Sequence, residues 1–447
     1  MNALPPLGWL GILRLGLVQT SLGAIVVLTT AALNRVMVVE HALPATLPGV
    51  LVALHYAVQM LRPRLGHGSD QGGRRTPWII GGMAVLGLGG VLAAVATAWM
   101  GTALVPGIAL AVLAFLLVGI GVGAAGTSLL VLLAARVAPA RRPAAASLVW
   151  IMMIAGFVIT TAISGRLLDP YSGPRLVAVA AGVSVIAFLL ALLAVAEIEG
   201  PSPARRDADR ATQAPFMVAL KQVWAEPEAR QFTIFVFVSM LAYSAQDLIL
   251  EPFAGTVFGM TLGETTRLSS MQHGGVLVGM IVIAIVGSLS GGRIAVLRAW
   301  AVGGCLAAAA LLATLAGAGM AGIGFPIREA FFALGVANGA FAAAAIASMM
   351  QLVSRGRDGR EGVRMGMFGA AQAIAFGAGG LAGTVVLDVG RLVTGSAGGG
   401  YVTVFVADAL LFLASAMLAA RIGRPATEKS RDYASISSRD ARLANGD

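Results

Sequence analysis

Apolar runs of about 20 residues follow one another along nearly the whole chain, parted by short polar stretches. They lie at about 11–33, 47–62, 78–98, 106–135, 145–166, 175–196, 231–252, 268–289, 295–318, 325–350, 365–387 and 401–421. A helix of about 20 residues crosses the ~30 Å hydrocarbon core of a bilayer. The runs are continuous rather than alternating, which excludes the strands of a membrane barrel. The pattern predicts an all-α, polytopic membrane protein with twelve transmembrane helices. The spans divide six and six: 1–196 forms one half, 231–421 the other. Between them, 197–230 begins with "EIEGPSPARRDADR" and reads as a polar linker. The tail, 422–447, is polar and predicted to be disordered.

Composition agrees with this picture. Hydrophobic residues make up 58% of the 447 and charged residues only 12%, about half the share usual in soluble domains. The apolar run near the start is followed by many further spans and has no clean small-residue cleavage site, so it reads as a span rather than a cleaved leader. A net charge of +10 raises the question of nucleic acid, but the distribution answers it. Of the 31 basic residues, only Arg35, Arg166, Arg175, Arg267, Arg328 and Arg391 lie away from the termini and one set of alternating loops. That is a topology signal. It places both termini on the cytoplasmic side of the membrane, with the lipid bilayer and not nucleic acid as the surrounding partner. The one cysteine, Cys305, falls inside a span, which rules out an internal disulfide framework.

The halves read as repeats. Gly165 answers to Gly383, Arg142 to Arg360 and His55 to His273 at one common offset, and Leu167–Asp169 to Val386–Asp388 at one residue more. Two six-span halves related this way predict the major facilitator fold. The loop after span 2, "GHGSDQGGRR", places Gly66, Asp70, Gly73, Arg74 and Arg75 where major facilitator proteins carry a similar motif. Its chemistry is that of a latch. Glycines allow close approach and a sharp turn, and the aspartate suits helix amides or an arginine. The resemblance implies a contact that steadies one end state of two rocking halves. The second-half counterpart, "GSLSGGR" at Gly287–Arg293, lacks the aspartate.

A narrower resemblance surrounds that loop. "TTAALNRVMVVE" (Thr29–Glu40), "LVALHYAVQMLRPRLGHGSDQGGRRTPWIIGGM" (Leu51–Met83), "RRPAAASLVWIMMIAGFV" (Arg141–Val158), "AYSAQDLILEPFAGTVFGM" (Ala242–Met260) and "MQHGGVLVGM" (Met271–Met280) together resemble the PucC/LhaA family of phototrophic bacteria. The likeness spans nearly the whole chain except linker and tail. It implies a non-enzymatic assembly factor for light-harvesting complexes 1 and 2 that binds or delivers bacteriochlorophyll a transiently. The implied partners are antenna polypeptides and bacteriochlorophyll synthase. An accessory role in late bacteriochlorophyll synthesis is the alternative, since a related member is named as a synthase subunit. The oligomeric state is left open.

The residues themselves offer few sites. His55 and His273 sit in apolar spans at repeat-related positions, and polar residues within spans are functional by default. A neutral imidazole can ligate the magnesium of a chlorin, which makes both pigment-binding candidates, though each could equally hydrogen-bond a neighbouring helix. Gln59 is one turn from His55 and Gln272 adjoins His273. Magnesium prefers oxygen, so an axial amide or water stays open. In span 7, Gln246, Asp247 and Glu251 form a polar group, with Asp247 and Glu251 on one helix face. They could couple a small-molecule transporter to protons, or pair with Arg35 or Arg267. Pro252 is expected to end that helix. Arg328 and Glu329, near the start of span 10, are expected to snorkel or pair locally. His41 is a weaker candidate at a loop edge, and His67 is expected in solvent. "GIGVGAAG" (Gly119–Gly126) lies within a span with no preceding strand, so it reads as close helix packing, not a dinucleotide loop. No nucleophile–base spacing, no metal motif and no aspartate-rich prenyltransferase motif stands in the chain, which predicts no enzyme and no metal ion of its own.

Overall fold

The structure is a computed structural model that describes residues 6–60, 74–138, 141–199, 221, 223–290, 293–321, 324–355 and 361–422. All its regular elements are helices. In chain order they are α1 (Trp9–Glu40), α2 (Thr46–Gln59), α3 (Thr76–Met100), α4 (Leu104–Arg136), α5 (Arg142–Leu167), α6 (Gly173–Val195), α7a (Pro227–Asp247) and α7b (Leu250–Phe258). There follow α8 (Leu262–Leu289), α9 (Ile294–Ala321), α10 (Ile327–Arg355), α11 (Glu361–Thr394) and α12 (Ala397–Ala419). Among the described residues, eleven helices are long and apolar enough to cross a membrane, α7a and α7b counting as one; α2 is a shorter apolar helix. The hinge residues of the latch, Gly66, Asp70 and Gly73, lie outside the described residues, as do most of the linker and the tail.

The packing repeats. In the first half α1 packs on α5 and α6, α4 on α2 and α3, and α3 on α6. In the second half α7a packs on α11 and α12, α10 on α8 and α9, and α9 on α12. The halves meet along two seams, α2 against α11 and α5 against α8, which exchange under the same repeat. One end of the bundle carries the start of α1 and the end of α12 and is termed the terminal end. The other, with the α1–α2, α5–α6, α7–α8 and α11–α12 connections, is the distal end.

Small residues make the tight crossings. Gly275 and Gly279 of α8 face Gly335 and Gly339 of α10 so closely that a Cβ at any of them would strike the opposing backbone. Gly119 abuts the backbone of His55 in α2, while Gly121 abuts Leu86 and Gly82 in α3. In lipid, where apolar burial does not drive helix association, such contact supplies dispersion energy in its place.

Helix ends follow local rules. Thr261 and Glu264 form a reciprocal capping box at the start of α8, and Ser172 and Ser396 cap α6 and α12. Gly259 ends α7b at φ 66°, a left-handed conformation that glycine adopts without strain. Span 7 departs from expectation. Pro252 does not end it; the helix breaks earlier, at Leu248–Ile249. Pro252 then falls in the first turn of α7b, where an amide N–H would have had no helical partner, so its absence costs nothing there. The carbonyl of Leu248, whose helical partner four residues on would be the N–H that Pro252 lacks, accepts a 2.6 Å hydrogen bond from Asn34 Nδ2 of α1. Opposite the break, α1 is itself irregular, with π-helical turns at Leu28–Ala32 and Val36–Glu40.

Candidate functional site between the halves

His273 lies on α8 in the α5–α8 seam and is nearly fully buried. Its Nδ1 is 2.8 Å from the Ser269 carbonyl oxygen, one turn back. A carbonyl only accepts, so Nδ1 carries the hydrogen, and the neutral ring then holds its lone pair on Nε2. No described group hydrogen-bonds that Nε2. Phe157 of α5 meets the ring edge-on at 5.1 Å, and Ser270 Oγ donates to the Val158 carbonyl at 2.9 Å, so both bridge the seam. Asp247, at the end of α7a, is within electrostatic reach of the imidazole.

His55 has a different setting. Its Nε2 stands 2.8 Å from Gln59 Nε2 on the next turn of α2, a position where the amide donates and occupies the ring lone pair. Its ring is edge-on to Tyr56 at 4.8 Å. The structure therefore puts the two histidines at matching places in the two halves, with Gln59 at Nε2 of His55 and no described hydrogen bond at Nε2 of His273. Gln272 is buried with its Nε2 unpartnered, and Gln246 is fully buried with neither amide atom hydrogen-bonded.

The acid pair of span 7 also resolves differently from expectation. Neither Asp247 nor Glu251 forms an ion pair with Arg35 or Arg267. Arg35 bonds Glu40 and the Met260 carbonyl, and Arg267 faces Asp169 at 3.6 Å. Glu251 instead accepts from Ser269 Oγ at 2.5 Å. The physical reason is the break in α7, which turns Glu251 into the first turn of α7b and toward α8. Among the weaker candidates, His41 Nε2 sits 2.9 Å from the Thr97 carbonyl and serves packing, and Arg328 is exposed at the rim of a cavity it shares with Glu264 and Arg267. Arg74 is exposed, and the backbone amides of Arg75 and Thr76 are held by the Glu199 carboxylate.

Sequence reasoning missed the aromatic path across the other seam. Tyr56 of α2 meets Phe376 of α11 at 5.5 Å, Phe376 meets Tyr243 of α7a at 5.8 Å, and Tyr243 meets Phe341 of α10 at 6.4 Å. Tyr56, Tyr243, Phe376, Phe157 and Asp247 all keep part of their surface accessible although they lie between helices. Asp408, central in α12 and buried, was also missed; a lone carboxylate inside "VFVADALLF" was the available signal. Among the described residues no group of three or more His, Cys, Asp or Glu side chains could hold a bare metal ion.

Two six-helix halves, two seams and polar residues drawn to the interface define a membrane protein of the major facilitator fold. Solved structures agree on the fold. The peptide transporter POT in complex with sulfate aligns with TM-score 0.68 at 15% identity, over 94% of this chain and 97% of that one. The nucleoside transporter NupG aligns with TM-score 0.66 at 14% identity, over 93% of this chain and 100% of that one. Sequence comparison narrows the class: the profile described as "PUCC protein" matches residues 32–427, and the chain belongs to that family. It is 51% identical to the "Bacteriochlorophyll synthase 44.5 kDa chain" of Rhodobacter capsulatus, over 92% of this chain and 95% of the relative. It is 30% identical to "Protein PucC" of the same organism, over 90% of each.

Proposed function

We propose that the chain is a photosynthetic assembly factor that takes up bacteriochlorophyll between its halves and passes it to antenna polypeptides in the membrane. The observation that carries this reading is His273. Its Nδ1 is tied to a backbone carbonyl, so Nε2 offers a lone pair at a helix seam, beside the ring of Phe157. That is the donor a magnesium chlorin needs as its fifth ligand. The pigment, when bound, supplies the chromophore and the metal. The chain's own residues hold the imidazole in one tautomer (Ser269), flank it (Phe157) and exclude bulk water. His55, with Gln59 on its ring nitrogen, is assigned to holding helices together rather than to ligation. The terminal end is assigned to the cytoplasm on the arginine distribution, in a bacterial inner membrane, and no enzymatic step is assigned to the chain.

A second reading is favoured by one relative's printed name: an accessory of bacteriochlorophyll synthesis. A third, proton-coupled transport, would draw on Asp247 and Glu251. Deleting the gene in a phototrophic host separates them. The proposal expects antenna complexes to be lost with pigment synthesis intact. Accumulated pigment precursors would instead support the biosynthetic role. Normal antenna and pigment, together with a proton-driven flux abolished by Asp247→Asn, would support transport.

A further inference from the structure

At the terminal end, among the described residues, the carboxylate contacts cited here join neighbouring elements of the same side of the bundle. Glu199 holds the first amides of α3, and Glu226 pairs with Arg364 of α11 through bonds of 2.7 and 3.0 Å. At the distal end the carboxylates cross between halves. Asp388 of α11 accepts from the amides of Ala45 (3.1 Å) and Thr46 (2.7 Å) and from Thr46 Oγ1 (2.6 Å), all at the start of α2. Asp169, just past α5, accepts from the Gly263 amide (2.9 Å) and Thr261 Oγ1 (2.8 Å) at the start of α8. The two contacts are images of each other under the repeat: α11 on α2, α5 on α8. In both, an arginine lies on the flank, Arg391 at 3.8 Å from Asp388 and Arg267 at 3.6 Å from Asp169.

We propose that Asp169 and Asp388 are paired locks that clamp the two halves together at the distal end, so that the seams part from the terminal end. A carboxylate on the unpaired amides and positive dipole of a helix start gains charge-assisted hydrogen bonds, here with both side chains still partly exposed (28% for Asp169, 21% for Asp388). The backbones confirm how close the halves come there. A Cβ on Gly49 of α2 would strike Thr384 of α11, and one on Gly263 would strike Gly165 and Asp169. Toward the terminal end the same seam is flanked by a shallow outward-facing depression of about 410 Å³, with Ile151 on one side and the exposed Ile281, Ile285 and Leu289 on the other. This assignment is independent of what the protein carries.

The test uses Thr384→Cys as a reporter, since Thr384 is fully buried at the distal contact with Gly49 and native Cys305 is buried too. In purified full-length protein, a hydrophilic maleimide should label the introduced thiol slowly. With Asp169→Ala and Asp388→Ala added, labelling should be at least about ten times faster. Thr46→Val with Thr261→Val, which keeps both acids and removes their hydroxyl donors, should give an intermediate rate and decides the matter should the alanine variant not remain monodisperse. Rates equal to the parent's in monodisperse variants would overturn the proposal.

Discussion

The two halves share the same five helix contacts, yet their seam helices carry different chemistry. In α2, His55 meets its own neighbour, Gln59, through Nε2. In α8, His273 is turned by a backbone carbonyl so that one nitrogen stays open. The second half also holds buried polar atoms without partners, among them those of Gln246, Gln272, Asn338 and Asp408. The first half has a comparable set, among them Gln19, Asn34 and Arg35 of α1, Ser128 of α4 and Ser164 of α5. An unsatisfied buried polar group costs about 1–3 kcal/mol, so both halves carry a burden that packing alone does not explain. The repeat preserved the scaffold in both halves while the partners of the seam histidines diverged.

The largest effect should come from breaking the scaffold of the second half. Gly335→Leu places a side chain on the Gln272 carbonyl and should cost about 3 kcal/mol, read as a lower melting temperature and loss of monodisperse protein in detergent. Gly274→Leu, one residue from the same crossing but facing open space, is the control and should change stability by about 0.5 kcal/mol or less. A smaller effect sharpens the comparison of the halves at the terminal end. Arg364→Ala leaves Glu226 without its two-bond partner and should cost about 2 kcal/mol, below the usual penalty for a fully buried pair because Glu226 is partly exposed. In the first half, Glu199→Ala removes only a helix cap and should cost about 1 kcal/mol. Equal losses from the two substitutions would contradict the difference drawn here. The smallest effect is expected at Asp408→Asn, which keeps shape and removes the possibility of charge; thermal unfolding should move by about 1 kcal/mol or less.

Much of the architecture was legible in the sequence because hydropathy in a membrane is close to a direct readout: continuous apolar runs can satisfy their backbone only as helices. The common offset of Gly165 and Gly383, or His55 and His273, likewise announced the repeat that the seams obey. What was hidden depends on contacts far apart in the chain. The break in α7 is signalled locally by Pro252, which has no N–H for the Leu248 carbonyl four residues back, but the residue that takes up that carbonyl, Asn34 of α1, lies far off in the chain. For the same reason Glu251 was assigned the wrong partners, Arg35 and Arg267 in place of Ser269. The difference between the histidines was half visible, since Gln59 stood one turn from His55. The role of Ser269, one turn before His273, was not, because a backbone carbonyl leaves no mark in sequence. The aromatic path from Tyr56 to Phe341 joins four helices and has no spacing signature at all.

The most direct test of the asymmetry is the absorption spectrum of the protein purified in mild detergent from phototrophic cells, wild type beside His55→Ala and His273→Ala. The account predicts bound bacteriochlorophyll in the wild type and in His55→Ala, and at least about a ten-fold loss in His273→Ala. Pigment retained in His273→Ala, or lost equally from both variants, would contradict it.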